Sequence, residues 1–150
     1  MLGIGVNLVT VGPHGAVINL LVNGSFDTDV SDWDSFSGGQ LSWDSGTLKI
    51  EALSGDTFVG AQQGVTATSG KTYRISFEII DVSGPNNGGW FRVGSSLNGS
   101  DLYSVDSLVI GSYSVDIVAT TASLYLQPSL TTSDFSTDFI KYDNLVVEEL

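Results

Sequence analysis

The sequence contains no cysteine, which excludes both a disulfide framework and a thiolate metal site. Basic residues are also scarce: 5 Lys and Arg stand against 17 Asp and Glu, and the net charge is −12. Such a chain lacks the basic patch that neutralises phosphates, and an anionic membrane surface would repel it. The only histidine is His14, and a Ser-His-Asp triad would have to use it. We therefore expect no nucleic-acid partner, no membrane partner and no catalytic triad.

The first 26 residues contain no charged side chain. A secretory signal peptide needs a basic start, and no Lys or Arg precedes Lys49, so we expect no signal peptide. A transmembrane helix needs about 20 mostly apolar residues, and Pro13 would break this stretch midway. The pattern instead predicts two extended pieces, 4–11 and 16–22, joined by a hinge at 12–15.

The apolar side chains of this leader should not lie bare in water. They must pair with the domain's own sheet or dock on another chain by strand addition or in a groove, and we favour docking. We therefore define residues 1–19 as a docking arm. Its proposed contact residues are Ile4, Val6, Leu8, Val9 and Val11.

The rest of the chain lacks any long stretch with helical spacing and reads instead as short strands. In residues 71–80, apolar side chains alternate with polar ones, as in a half-buried strand. Glycine-rich and Asn-rich breaks, such as 84–89, separate the strands. Eight to ten such strands predict an all-β fold, a β-sandwich of two antiparallel sheets, over residues 20–150.

The acidic stretch 23–34 carries four aspartates and suggests a metal loop at first sight. It does not fit an EF-hand, because the position that needs glycine holds Asp32 and no glutamate closes the loop. We expect Trp33 to enter the core while Asp32 and Asp34 stay in water. The stretch should therefore turn a corner, and Asp27 and Asp29 should at most lend oxygens to an ion.

Several short motifs occur together in a fixed order: N-G-S-F-D with a following Trp, S-G-T-L, G-K-T-Y at the start of a long strand, and Y-D-N-L near the end. In this order they resemble the family 4/9-type carbohydrate-binding modules. The resemblance covers residues 20–150. It implies a jelly-roll β-sandwich of the galactose-binding-like kind.

The resemblance also implies one structural Ca²⁺ where the first strand, the early hairpin and the last strand meet. Carried over to this sequence, the ligands would be Ser25, Gly46 and Asp143. Hydroxyl, carbonyl and carboxylate oxygens suit a hard cation that takes 6–8 oxygen ligands. The alternative is that Asp143 only accepts backbone hydrogen bonds and that no ion is present.

Modules of this family bind glycans on one concave sheet face, where aromatic rings stack on sugars and polar groups bond the hydroxyls. The corresponding set here would be Gln62, Arg74, Glu78, Trp90, Arg92, Tyr125 and Gln127. The alternative is that these residues have no binding role, because any half-exposed sheet shows polar residues and a few aromatics.

A hydrolase would need two carboxylates about 5–10 Å apart across a cleft. Only Glu51 and Glu78 lie inside predicted strands, and Glu78 shares a face with Arg74, which suggests a salt bridge or a polar lining. We therefore expect a non-enzymatic protein.

Two functions remain open. An uncharged arm on a disulfide-free sandwich resembles virion proteins of tailed phages, such as capsid decoration (cement) or fibre proteins. That role predicts synthesis in the host cytoplasm, a place on the capsid exterior, a major capsid or other virion protein as partner, and a homo-oligomer such as a trimer. The alternative is a carbohydrate-binding module that recognises polysaccharide through the concave face.

Overall fold

The computed structural model describes residues 8–10, 16–53, 58–83, 88–131 and 138–150. These residues form strands, turns and loops. No helix in these ranges is long and apolar enough to cross a membrane. In chain order the strands are β1 (Leu8–Thr10), β2 (Ala16–Ile18), β3 (Asp34–Phe36), β4 (Gln40–Trp43), β5 (Leu48–Glu51), β6 (Phe58–Thr66), β7 (Thr72–Val82), β8 (Gly88–Gly94), β9 (Tyr103–Leu108), β10 (Gly111–Val118), β11 (Ser123–Thr131) and β12 (Phe139–Glu149).

Ten of these strands form two antiparallel five-stranded sheets, which pack as a jelly-roll β-sandwich. The front sheet has the order β3-β6-β11-β8-β9, and the back sheet has the order β10-β7-β12-β5-β4. Neighbouring strands are mostly distant in the sequence, so each sheet is held by long-range pairing. The predicted all-β sandwich is confirmed.

The core lies between the two sheets and follows the alternation of the strands. In β7, Tyr73, Ile75, Phe77 and Ile79 are all nearly inaccessible to solvent, whereas the side chains between them point outward. Phe77 stacks on Phe91 of the front sheet, with ring centroids 4.0 Å apart and an interplanar angle of 7°. Burial of each such large apolar side chain contributes roughly 1.5–3 kcal/mol, so this layer holds the two sheets together.

The acidic stretch 23–34 forms the corner that leads into β3. Trp33 is buried against Phe26, and its indole N–H donates to the carbonyl of Asn23 at 3.1 Å. Asp29 accepts from the backbone N–H and the hydroxyl of Ser31 at 3.0 and 2.7 Å. These bonds lower the pKa of the Asp29 carboxyl, the largest effect coming from the Ser31 hydroxyl. The aspartate thus organises a local turn, as short polar side chains commonly do.

Residues 19–24 run beside the C-terminal half of β12, beyond the part of β12 that pairs with β5. The backbone N–H of Leu20 donates to Val147 at 2.8 Å, and the N–H of Leu145 donates to Gly24 at 2.9 Å. The buried side chain of Asn19 donates to the Leu145 carbonyl at 2.8 Å and accepts from the Val147 N–H at 2.9 Å. This segment is therefore an added strand-like edge of the sandwich.

Two further features fix this segment in place. The Gln63 side chain accepts from the Val22 N–H at 2.8 Å and donates to the Val22 carbonyl at 2.9 Å, as a neighbouring backbone would. Gly24 approaches β12 so closely that a Cβ there would collide with the Leu145 carbonyl oxygen. Only glycine allows this approach of one backbone to another.

The leader before this segment forms a hairpin in which β1 pairs antiparallel with β2. Leu8 lies opposite Ile18, and Val9 lies opposite Val17. The other proposed arm residues, Ile4, Val6 and Val11, lie outside the described residues. Asn19, which the predicted arm includes, is hydrogen-bonded to β12 of the sandwich. The division of the chain into an arm, 1–19, and a body, 20–150, stays a prediction. Docking of this arm on a partner stays a prediction.

Candidate functional site

The structure divides the predicted sugar-binding set between the two sheets. Five of its members lie on the outward surface of the front sheet, here called the front face: Gln62, Trp90, Arg92, Tyr125 and Gln127. Arg74 and Glu78 belong to β7 and lie on the outward surface of the back sheet, here called the back face. The seven residues therefore do not form one face, and the inclusion of Arg74 and Glu78 is corrected.

Gln127 is at the centre of the front face and is completely buried, although it points away from the core. Its amide oxygen accepts from Arg92 Nη2 at 2.6 Å, and its amide nitrogen donates to the Gly99 carbonyl at 2.8 Å. Arg92 is its direct cross-strand partner in β8. Gln127 therefore connects the Arg92 guanidinium to the β8–β9 loop, residues 95–102, through hydrogen bonds.

Three rings from three strands form an aromatic cluster at one end of the front face: Phe36, Phe58 and Trp90. Phe58 contacts Phe36 and Trp90 with centroid separations of 5.4 and 4.8 Å, both near edge-to-face. The Arg92 guanidinium carbon lies 4.8, 4.7 and 5.1 Å from the centroids of Phe36, Phe58 and Trp90. These distances are within the range of cation–π attraction, so the rings hold the arginine head in one place.

Tyr125 lies at the opposite end of the front face and is partly exposed. Its ring leans over Gly64 of β6: a Cβ at Gly64 would lie 2.9 Å from Tyr125 Cε1. The loop 95–102 rises beside it and is braced by Asp101, which accepts from the Ser95 N–H at 2.9 Å and from its hydroxyl at 2.7 Å. The glycine thus makes room for an aromatic side chain next to a fixed loop.

Two buried polar atoms of this face have no hydrogen-bond partner among the described residues: Gln62 Oε1 and Arg92 Nε. A buried polar group without a partner costs about 1–3 kcal/mol, and more if it is charged. Burial also lowers the pKa of the Arg92 guanidinium. The front face therefore keeps hydrogen-bonding capacity that its own residues do not satisfy.

The back face differs, because its polar groups pair with each other. Arg74 makes two bonds to Asp116, Nε to Oδ1 and Nη2 to Oδ2, both at 2.8 Å. Glu78 accepts from Asn144 at 3.1 Å and from Ser112 at 3.3 Å. Of the two expected arrangements, a salt bridge with Arg74 or a polar lining, these contacts match the polar lining.

The three segments predicted to hold calcium do meet at one end of the sandwich. The Gly24–Leu145 bond places Ser25 near the last strand, and burial, together with Glu78 and Asp27, raises the pKa of Asp143. However, the described residues contain no group of three His, Cys, Asp or Glu side chains that could hold a metal ion. An ion bound here would therefore need hydroxyl and backbone carbonyl oxygens in addition to the Asp143 carboxylate.

The sequence analysis missed two members of the aromatic cluster, Phe36 and Phe58. A signal for Phe58 was present, because Phe58, Gly60 and Gln62 alternate along one strand and share a face. Phe36 gave no comparable signal, because β3 has only three residues and its pairing with β6 is long-range.

No protein-family model matches the chain, and no curated protein matches it significantly. Solved structures of similar fold exist. A structure named "CBM4 structure and function" is 18% identical, with 86% of this chain and 99% of that chain covered and a TM-score of 0.60. TmCBM61 in complex with beta-1,4-galactotriose is 16% identical, with 88% and 99% covered and a TM-score of 0.62.

Two larger proteins contain a similar sandwich. The enzymatically active domain of bacteriophage CBA120 tailspike protein 4 is 11% identical over 88% of this chain, with a TM-score of 0.61, but this chain spans only 21% of it. The MgGH51 α-L-arabinofuranosidase is 16% identical over 87% of this chain, with a TM-score of 0.67, and this chain spans 26% of it. At these identities the likeness establishes the fold, which is that of carbohydrate-binding modules.

Proposed function

We propose that this protein is a non-catalytic carbohydrate-binding domain that holds a glycan on its front face. The observation that carries this proposal is the placement of Tyr125 and Arg92 on one surface, with the buried Gln127 holding the arginine. A partly exposed ring offers a surface on which a sugar can stack, and the guanidinium offers hydrogen bonds to sugar oxygens. The similarity to carbohydrate-binding modules over nearly their whole length supports the same role.

The absence of catalysis is part of this proposal. Glu51 pairs with Lys49 at 2.6 Å on the back sheet, and Glu78 is also on that sheet. Neither glutamate of the predicted pair reaches the front face. A hydrolase would need two carboxylates on opposite sides of a bound sugar.

The test is a glycan array followed by titration calorimetry with the best ligand. Tyr125→Ala and Trp90→Ala should each weaken binding by about tenfold or more, since buried aromatic anchors dominate binding energy. Arg74→Gln, on the back face, should change affinity less than twofold. A folded protein that binds no glycan, or that loses binding only through changes on the back face, would refute the proposal.

We also propose a second function that is compatible with the first: attachment to a phage particle through the leader. Two observations favour it. The first 26 residues carry no charged side chain, and Ile18, the last residue of β2 in the arm, is 58% accessible. In addition, a phage tailspike contains a similar sandwich. The partner would be a major capsid or other virion protein on the capsid exterior, and the sandwich would assemble as a homo-oligomer such as a trimer.

Removal of residues 1–18 tests this second function. The truncation must stop before Asn19, because Asn19 is bonded to β12. The truncated protein should keep its fold and any glycan affinity but no longer co-purify with particles. If the truncated protein still decorates particles, or if the complete chain never binds them, attachment through the leader is excluded.

Calcium binding also remains a prediction. If an ion neutralises Asp143 and its acidic neighbours Glu78 and Asp27, millimolar CaCl₂ should raise the melting temperature relative to EDTA, because a ligand bound only to the native state stabilises it. Asp143→Asn should remove that difference. An identical melting temperature in CaCl₂ and EDTA would exclude a structural calcium.

A further inference from the structure

The protein has five Lys and Arg residues, and all five are described. Four of them contact a carboxylate: Lys49 with Glu51, Lys71 with Glu149, Arg74 with Asp116, and Lys141 with Asp44 and Asp81. Arg92 is the exception, because no carboxylate of the described residues lies within ion-pair distance of it. In a chain with 17 acidic residues, an unpaired arginine requires an explanation.

The position of Arg92 makes this lack of a partner costly. Its head lies among the three rings of the aromatic cluster, and Nη2 donates to the Gln127 amide at 2.6 Å. Nε is buried and has no acceptor in the part of the chain that the structure describes. A cation–π contact gives about 0.5–2 kcal/mol, whereas removal of a charge from water costs several kcal/mol per ion. The rings therefore position the guanidinium but do not fully compensate it.

The neighbouring acidic side chains do not compensate it either. Asp34 lies on the same face, in the edge strand β3 beside Gln62, and is exposed. Asp101 is held by the backbone N–H and hydroxyl of Ser95 in the loop 95–102. The positive charge at the aromatic cluster is thus left without a counter-charge from the described residues and is available to an incoming group.

We propose that the front face selects glycans that carry an anionic group, a uronate carboxylate or a sulfate ester, and that Arg92 receives this group. This inference rests on the proposed glycan-binding function. Charge-assisted hydrogen bonds are roughly twice as strong as neutral ones, and Arg92 Nη1, which has no acceptor among the described residues, is the donor offered to the ligand. A neutral sugar would leave the guanidinium without a counter-charge, so the site discriminates against it.

The net charge of −12 does not oppose this assignment at close range. At physiological ionic strength, exposed charges are largely screened beyond about 8 Å. The back-face carboxylates are on the far side of the sandwich, and four of the cations also lie there. The local charge at the aromatic cluster, rather than the total charge, decides which group is bound.

The experiment measures binding of the full chain to matched pairs of polymers by titration calorimetry or affinity electrophoresis. One pair is polygalacturonate and its carboxyl-reduced form, and the other is dextran sulfate and dextran. A glycan array with neutral, uronate-bearing and sulfated members extends the panel to other backbones. We expect binding to the acidic members at least about tenfold tighter than to their neutral counterparts, and the two pairs distinguish carboxylate from sulfate.

Variants identify the residue responsible. Arg92→Gln should lose at least about tenfold in affinity for the acidic ligand, and Arg92→Lys should retain part of it, because the charge remains without the planar group. Arg74→Gln is the matched control and should bind as the parent does. The comparison of charged and neutral polymers on the unaltered protein stands even if an Arg92 variant fails to fold.

The outcomes separate this inference from the proposed function. Equal or tighter binding of neutral glycans, with Arg92→Gln unchanged, overturns the acidic preference and leaves glycan binding intact. Binding of no glycan by the folded protein overturns both.

Discussion

The two outward faces of the sandwich come from sheets of equal size but treat their cations in opposite ways. On the back face, Lys141 and Lys49 both lie over the Phe139 ring, and each also has a carboxylate partner. On the front face, Arg92 lies among three rings and has no carboxylate partner among the described residues. Both faces thus place cations against aromatic rings, and the missing counter-charge is what distinguishes the proposed binding site from the back face.

The comparison shows that polar groups on the back face pair with each other, whereas two on the front face have no partner among the described residues. Exposed pairs such as Arg74–Asp116 contribute little to stability, about 0–1 kcal/mol, but they occupy each group. The front face leaves Gln62 Oε1 and Arg92 Nε unpaired at a cost to the folded state. Such a cost is typical of functional sites, which keep groups free for a ligand.

The largest effect on stability should come from Gln127, which connects Arg92 in the aromatic cluster to the loop 95–102. Gln127→Ala removes the bonds to Arg92 and to the Gly99 carbonyl and leaves a cavity at a fully buried position. We expect a loss of about 2 kcal/mol in unfolding free energy, measured by urea denaturation. Ser76→Ala is the control on the back face, where the Ser76–Ser114 contact is exposed, and should cost less than about 0.5 kcal/mol. Equal losses of unfolding free energy in the two variants would contradict the view that polar contacts on the front face matter more to stability than those on the back face.

A smaller effect should come from Gly64, which leaves space for the Tyr125 ring. Gly64→Val would place its Cβ 2.9 Å from that ring and displace it. We expect glycan affinity to fall about tenfold, or 1.4 kcal/mol, with unfolding free energy changed by less than about 1 kcal/mol, because Gly64 is exposed. Ser114→Val makes a similar change on the back face and should leave affinity unaltered. Full affinity in Gly64→Val would show that the position of the Tyr125 ring is unimportant.

The smallest effect concerns acid stability. The hydrogen bond from Arg74, the largest cause, lowers the pKa of the Asp116 carboxyl. A carboxyl with a lowered native pKa stabilises the fold above its unfolded pKa, about 3.9, and this contribution is lost as pH falls through the native pKa. In Arg74→Gln the unfolding free energy should therefore depend less steeply on pH below about 4. Arg92→Gln should keep the slope of the parent protein, since none of the carboxylates that the structure describes pairs with Arg92. Equal slopes in Arg74→Gln and the parent would show that the Arg74–Asp116 contact does not contribute to stability in acid.

The fold followed from local patterns that are visible in the sequence. The alternation of Tyr73, Ile75, Phe77 and Ile79 predicts a strand with one buried face, and β7 has that face buried. The position of Trp33 in the core also follows from its place in the corner. Period-two spacing was sufficient for β7 because this strand is buried on one side only.

The site could be predicted only in part, because alternation tells which residues share a face of one strand but not which sheet that strand joins. Arg74 and Trp90 have the same outward orientation, yet β7 and β8 belong to different sheets although they are consecutive in the chain. That no described carboxylate pairs with Arg92 depends on where acidic residues from many different strands and loops end up in space. No single strand carries that information. The anchoring role of Asn19 is equally non-local, because its partners are 126 and 128 residues away.

The attachment of residues 19–24 along β12 also has a mechanical consequence. Any tension applied through the leader would reach the sandwich first at the Asn19 side-chain bonds to Leu145 and Val147 and next at the Leu20–Val147 backbone bond. The Gln63 clamp on Val22 joins the same segment to β6 of the front sheet. A tethered copy would thus bear its load across both sheets along this seam.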